Sequence, residues 1–433
     1  MLAHRVPGLS LAVIAHGQIA VERGYGVREA GRSEHVDATT TLFQACSISK
    51  PVTALAMLRL VDRGELDLNA DVNERLTAWR VPPNASWQPR VTLRMLASHS
   101  AGLTTWGFPG YRRGVPLPTL VQVLTGTAPA NTGAVRVDLV PGTQVRYSGG
   151  GTVVMQLLLE EATGATFSDL LEKLVLAPLG MRSSTFAQPL PETLWGRAAI
   201  AHSEDGSPVP GGWHVYPEQA AAGLWTTSAD LCRYAIAVQE AVAGDDSILR
   251  PATAREMLTP QLPPTEPSAG LHSPGLGPFL GGGAETRWFG HSGGNEGFAC
   301  HFMAHVEGGC GAAVMTNGDG GHALVREVFD GLAHELDWPD YEPTETGAAL
   351  DRFTGRFELW PGMQMTIERS GDELPVTVGA QTPISFFALD AATLASLAMD
   401  VVMRFPADGD QAVLVQKGKE FPLRRLAEGE EAW

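Results

Sequence analysis

The chain has 433 residues, 44% of them hydrophobic and 18% charged, with a formal net charge of -17. That length exceeds one compact core and implies two domains, and the composition is that of an ordinary globular protein. So acidic a chain does not suit phosphate backbones or anionic membrane surfaces, and no apolar run reaches spanning length, so neither nucleic acid nor a membrane span is expected.

In chain order, the start lacks a basic stretch followed by an apolar core and a small-residue cleavage site, so it reads as mature sequence and the expected location is the cytoplasm. Residues 9–15 and 18–25, rich in Val, Ile and Leu, predict a hairpin turning at His16-Gly17. Next comes Phe43-Gln44-Ala45-Cys46-Ser47-Ile48-Ser49-Lys50-Pro51, then a run apolar enough for a buried helix over 51–63. Pro51 fits only a first helical turn, which sets the helix start near Ser47. Ser47 and Lys50 then share one face. Lys50 is one of four lysines, and this is the chain's only Ser-x-x-Lys. A buried ammonium loses hydration, its pKa falls, and it can take a proton from a serine hydroxyl. The free N–H groups of a helix N-terminus favour the negative charge that develops there. Chance produces such a tetrad often enough that other residues must converge on it.

Helical patterns follow at 93–98, 117–125, 151–163, 167–175 and 228–242, separated by loops rich in Pro, Gly and Trp. The turn-rich stretch 141–151 carries Tyr147. A phenol whose pKa is lowered by a neighbouring ammonium can shuttle a proton; taken alone, Tyr147 serves equally as a buried anchor. His99 reads as part of a structural turn, and Trp106, Phe108 and Tyr111 either line a cleft or pack. The tract 260–283 reads as a loop over the cleft. Strands are predicted at 286–290, 297–305 and 311–316, then a helix at 322–336. His291 ends the first of these strands, and Gly293 and Gly294 let a substrate lie along its edge and meet exposed N–H groups. A lone strand histidine is more often a structural hydrogen-bonder. His301 and His305 share a strand face without a third ligand, so neither metal nor cofactor is expected. Cys46, Cys232, Cys300 and Cys310 form no CxxC pairs, which suits free thiols in a reducing compartment.

Strands at both ends of a long helical insertion imply an α+β fold: an antiparallel sheet flanked by helices, with an all-helical subdomain over about 47–270. Residues 1–338 are expected to form this domain, and the polar stretch 339–350 a linker. Residues 351–433 give short strands at 355–359, 363–369 and 412–416, which suggests an all-β barrel or sandwich.

Several segments, in this order, resemble the serine hydrolases of the penicillin-binding protein and class C β-lactamase superfamily. They are Val6-Pro-Gly-Leu-Ser-Leu-Ala-Val13, Ser47-Ile-Ser-Lys50, Leu96-Ala-Ser-His-Ser-Ala-Gly-Leu103 and Pro141-Gly-Thr143 leading to Tyr147-Ser148. Leu176-Ala-Pro-Leu-Gly-Met181, Ala222-Gly-Leu-Trp-Thr-Thr-Ser-Ala-Asp-Leu231 and His291-Ser-Gly-Gly294 continue the series. Residues 351–433 resemble the lipocalin-like β domain appended to some family peptidases, esterases and peptide-cyclising enzymes. The resemblance implies a β-lactamase/transpeptidase-like fold in which Ser47 is acylated, Lys50 accepts its proton and Tyr147 assists as acid and base. It places His291 where many relatives carry the lysine of Lys-Thr-Gly. It also implies an oxyanion hole from the N–H groups of Ser47 and Gly294, with Ser148, Ser292 and Gly293 beside the substrate.

Two departures stand out. Relatives with Tyr-x-Asn place an asparagine where this chain has Gly149, which weighs against β-lactam turnover and DD-peptidase activity; the Ser148 hydroxyl is the substitute at hand. Histidine at 291 removes a fixed cation and with it strong selection for a substrate carboxylate. The resulting reading is an acyl-serine hydrolase that cleaves a carboxylic ester or the amide of a D-amino acid or short peptide. The alternatives are a β-lactamase or DD-peptidase, acyl transfer to an amine as in peptide cyclisation, and a penicillin-binding-type receptor without turnover. The expected partner is a small-molecule or short-peptide substrate, with a homo-oligomer left open.

Overall fold

A computed structural model describes residues 1–263, 273–282, 287–338, 341, 347–370, 373–379, 381, 383–388, 392–396, 401–405, 411–416 and 419–427. The chain divides into two units, Met1–Thr265 with Ser273–Phe329, and a second built chiefly of Asp330–Trp433.

The first unit is organised on a seven-stranded antiparallel sheet. Its strands are β1 (Gly8–Ala15), β2 (Gln18–Gly26), β3 (Ser273–Pro274), β4 (Phe279–Gly282), β5 (Arg287–Asn295), β6 (Phe298–His305) and β7 (Gly311–Thr316). They lie side by side as β2-β1-β7-β6-β5-β4-β3. β1 is buried from Gly8 to Ile14, as its apolar run dictates, and pairs with β2 on one side and β7 on the other. The β1–β2 turn holds His16 at φ 53° and Gly17 at φ 72°. Two successive left-handed residues match the twist of a tight hairpin.

The insertion between β2 and β3 carries its regular structure chiefly as helices, but it is not all-helical, since Phe43–Gln44 pairs with Trp225–Thr226 and Tyr111–Arg112 with His214–Val215. Its main helices are α1 (Ser49–Asp62), α2 (Gly149–Thr163), the single turn α3 (Gln219–Ala222) and α4 (Ser228–Ala243); α5 (Gly321–Glu335) follows the sheet. α1 is buried continuously from Ser49 to Leu58, and a helix apolar on all sides must lie at the centre of its subdomain. α2 is capped by Ser148, whose side chain accepts from the Gly151 N–H, and it stops at Gly164 in the left-handed conformation.

Side chains alternate across a strand, and directly paired residues share a face. Phe302 meets Tyr234 of α4 with ring centres 5.6 Å apart, whereas its neighbour His301 meets Phe329 of α5 at 4.6 Å. The sheet is therefore a layer between α4 and α5. His291 pairs with Phe302 and Gly293 with Cys300, so both face the α4 side. Ser292 pairs with His301 and Gly294 with Ala299, so these face α5.

Two local expectations change. The helix does not begin at Ser47: Cys46–Ile48 form a 3-10 turn, and α1 starts at Ser49 with Pro51 in its first turn. The tract 260–283 is not simply a loop, since it supplies β3 and β4, and β4 pairs with β5. Its residues 264–272 and 283, like residue 286 of the predicted strand and 339, 340 and 342–346 of the predicted linker, lie outside the described residues. The helices Glu192–Trp195, Gln219–Ala222 and Pro251–Met257 are too short to show a helical period in sequence.

In the second unit, eight strands from Gly355–Trp360 to Lys419–Arg425 close into an antiparallel barrel, with Phe357 pairing Arg425 across the seam. Phe353, Phe357, Met365, Ile367, Leu374 and Phe386 belong to its apolar core. Closure removes the free edges that short strands would otherwise expose. Among the described residues no helix is long and apolar enough to cross a membrane.

Phe302 is wholly buried between Tyr234 and Phe289, with ring centres 5.6 and 6.2 Å away. Truncating such a side chain removes its transfer energy and leaves a cavity, so Phe302→Ala is expected to cost about 3–5 kcal/mol in urea-induced unfolding.

Candidate active site

Ser47 sits on a bend that its neighbours hold in place. Cys46 just before it has a φ of 52°, a left-handed conformation that costs a non-glycine residue on the order of 1–3 kcal/mol unless its surroundings fix it. Here the Ala45 N–H donates to the Leu224 carbonyl at 2.8 Å, and the Ser49 hydroxyl donates to the Cys46 carbonyl at 2.6 Å while accepting from the Leu224 N–H at 3.0 Å. β5 presses on the same bend. A Cβ added at Gly293 would lie 2.7 Å from the Ala45 oxygen and 2.8 Å from the Cys46 Cβ, so only glycine allows this approach.

Lys50 projects from the first turn of α1. Its Nζ lies 2.9 Å from Ser47 Oγ and donates to the Ala221 carbonyl of α3 at 2.8 Å. Burial lowers its pKa to about 7, so at neutral pH a large fraction of this amine is uncharged and able to accept a proton. α3 is itself tied to the strand. Asn295 at the end of β5 donates to the Gln44 side chain at 2.7 Å and to the Ala222 carbonyl at 3.2 Å.

Tyr147 closes the site from the far side, hydrogen-bonded to the Ser47 side chain and with its ring centre 4.9 Å from Lys50 Nζ. The expectation that the ammonium lowers its pKa is reversed. Burial pushes the phenol up, and the Ser47 hydrogen bond offsets only part of that rise. The Tyr147 hydroxyl therefore keeps its proton at neutral pH, as a donor or relay rather than a standing phenolate. His99 is more than a turn residue. Its ring centre lies 4.4 Å from that of Tyr147 and 5.6 Å from that of Phe279, and its Nδ1 accepts the Ser148 N–H at 3.1 Å. Trp106, 51% exposed, lies 5.5 Å from Tyr147 and lines the mouth, whereas Tyr111 is buried and its hydroxyl accepts the Asn131 N–H.

His291 also converges on this cluster, with ring centres 6.0 Å from Tyr147 and 5.3 Å from Phe279. Burial, reinforced by the Lys50 charge, lowers its pKa to about 3, so it is neutral. Its Nδ1 meets the Ser292 carbonyl oxygen. A carbonyl can only accept, so the proton is on Nδ1 and Nε2 bears a lone pair. That Nε2 is buried and has no hydrogen-bond partner among the described residues. Among the described residues, nothing pairs with the edge of β5 beside it. β4 pairs with β5 only up to Gly290, and the two-residue turn after Asn295 directs the odd-numbered residues of β5 to β6. The main-chain groups of Ser292 and Gly294 consequently face the unpaired edge.

The hydroxyls of Ser148 and Ser292, which the resemblance places beside the substrate, are engaged by the protein itself. The Ser148 hydroxyl caps α2, accepting from Gly151 at 2.9 Å and donating to the Thr104 carbonyl at 2.8 Å. Strand alternation turns the Ser292 hydroxyl to the α5 face, 2.9 Å from His301 Nδ1. The place of the missing asparagine is filled as well. A Cβ on Gly149 would lie 2.9 Å from the Phe108 ring and 3.1 Å from the Trp106 oxygen. The contributions of His99, Phe279, Asn295 and the Ala221 carbonyl carry no local sequence signal, because long-range packing alone brings them to the site.

The β-lactamase family matches residues 1–335 of the chain. Esterase EstB of Burkholderia gladioli is 36% identical over 219 residues, covering 48% of this chain and 52% of the esterase. A D-aminopeptidase of Gluconobacter oxydans is 24% identical over 383 residues, covering 82% of this chain and 66% of that protein. The matches thus span about half and about two thirds of these relatives. The octameric penicillin-binding protein homologue from Pyrococcus abyssi superposes with a TM-score of 0.69 at 22% identity, covering 98% of this chain and 97% of that one. The fold is thus β-lactamase/transpeptidase-like, with the eight-stranded barrel appended.

If Ser148 serves as a helix cap, Ser148→Ala is expected to lower stability by about 1 kcal/mol, read as a shift in the urea midpoint at constant slope.

Proposed function

The chain belongs to the β-lactamase family, and on that premise we propose that it is an acyl-serine hydrolase cleaving a carboxylic ester or the amide of a D-amino acid or short peptide. The observation that supports this most directly is the 2.9 Å contact between Lys50 Nζ and Ser47 Oγ in a site that brings the lysine close to neutrality. Neutral Lys50 takes the Ser47 proton as Oγ adds to the substrate carbonyl. The N–H groups of Ser47 and Gly294 stabilise the resulting oxyanion. Tyr147 then gives its proton to the leaving nitrogen or oxygen, regains one from Lys50, and the bond from carbon to the leaving group breaks. Water repeats the sequence on the acyl-enzyme, losing a proton to the Tyr147–Lys50 pair and releasing the acid.

The esterase and aminopeptidase relatives favour these two bond types over β-lactam hydrolysis. The filled space at Gly149 and the uncharged imidazole at 291 weigh in the same direction, since neither offers an amide or a cation to a substrate carboxylate. The octameric Pyrococcus homologue makes self-association the assembly to test. The four free cysteines accord with a cytoplasmic, reducing location.

Ser47→Ala is expected to reduce p-nitrophenyl ester turnover by at least about a thousandfold. Turnover by the variant at the wild-type rate would remove Ser47 from the mechanism. For the wild-type protein, the acylation rate should rise with pH as Lys50 loses its proton, with a midpoint near 7, and then level off. A rate that falls across that window would exclude Lys50 as the base.

A further inference from the structure

We propose that His291 selects amides over esters: its Nε2 accepts the N–H of the leaving nitrogen and so turns that nitrogen's lone pair toward the Tyr147 hydroxyl. The inference rests on the acyl-serine reading above and narrows its substrate class.

The argument starts from the unsatisfied atom. Nε2 is buried, has no hydrogen-bond partner among the described residues, and must be an acceptor because Nδ1 donates to the Ser292 carbonyl. An unpaired acceptor among the rings of Phe279 and Tyr147 is unfavourable, and a donor on a bound ligand would relieve it. The position fits the leaving group. His291 shares the α4 face of β5 with Gly293, which touches the Ser47 bend, and its ring lies beside Tyr147.

When Ser47 adds to a secondary amide, the nitrogen of the tetrahedral intermediate carries one hydrogen, one substituent and one lone pair. With the hydrogen held by Nε2, the lone pair is free to take the Tyr147 proton. A lone pair of the oxyanion then re-forms the carbonyl as the C–N bond breaks, and the amine departs with that bond's electron pair and both hydrogens. An ester oxygen has no hydrogen to offer, so one of its lone pairs would face that of Nε2. The same site thus gains a contact with an amide that no ester can make.

The test compares three substrates with one acyl group: the p-nitroanilide, its N-methyl counterpart and the p-nitrophenyl ester. The wild-type protein should cleave the anilide with at least about tenfold higher kcat/KM than the N-methyl compound. His291→Phe should lower kcat/KM for the anilide by about 10- to 100-fold, shrink its advantage over the N-methyl compound, and change ester cleavage less than about threefold. His291→Gln, which keeps an acceptor oxygen, should restore part of the loss. The anilide-to-ester ratio should also stay constant from about pH 5 to 9, because the imidazole is neutral throughout. Equal losses on ester and anilide, an undiminished preference over the N-methyl compound, or ester cleavage with no anilide cleavage would each overturn the role of His291 while leaving the acyl-serine reading intact. Failure to cleave any of the three would overturn both.

Discussion

The constraint on which the first unit depends is the dehydration of one amine. An exposed Lys50 would stay charged at neutral pH and be useless as a base toward serine. The fold keeps water from it by placing it on α1, a helix buried along most of its length, and by surrounding it with the Ala221 carbonyl and the Tyr147 ring. The same dryness raises the phenol and suppresses protonation of both His99 and His291. One local property thus assigns the protonation states of the whole cluster. The amine is the group that gains and loses a proton near neutrality, and the rings around it hold theirs.

Holding that cluster together requires the helical insertion and the sheet to approach closely. The contact between Gly293 and the Cys46 bend is where they do so, and a methyl group there would already collide. Asn295 fastens the end of the same strand to Gln44 and to α3, which in turn presents the Ala221 carbonyl to the lysine. Nucleophile, base and strand edge are therefore positioned by one set of mutually dependent contacts.

Much of this was legible in the sequence where the physics is local. The Ser47–Lys50 spacing, the proline behind it, the alternating strands and the glycines of β5 all express short-range rules, and the α+β architecture with a β-rich C-terminal part follows from their order. What was not legible depends on distant residues. The 3-10 start at Cys46 is imposed by the Leu224 backbone and by Gly293. Tyr147 could be placed near a charge, but not beside His99 and Phe279 in a site where burial raises its pKa. Ser148 and Ser292 adjoin site residues in sequence and yet turn away, one to cap a helix and one through strand alternation. β3 and β4 were hidden because they are short and set among prolines and glycines.

The pairing of β1 with β7 has a consequence for how the protein is made. Leu9 lies opposite Thr316, so β1 must wait for about three hundred more residues to be made before its permanent neighbour β7 exists. Until then an almost wholly apolar strand is satisfied on one side only, by β2. Such sequence-distant closure slows folding and leaves a sticky edge during translation. The late pairing of β1 thereby raises the nascent chain's demand on chaperones, while the barrel, most of whose strands pair with near neighbours in sequence, can form promptly.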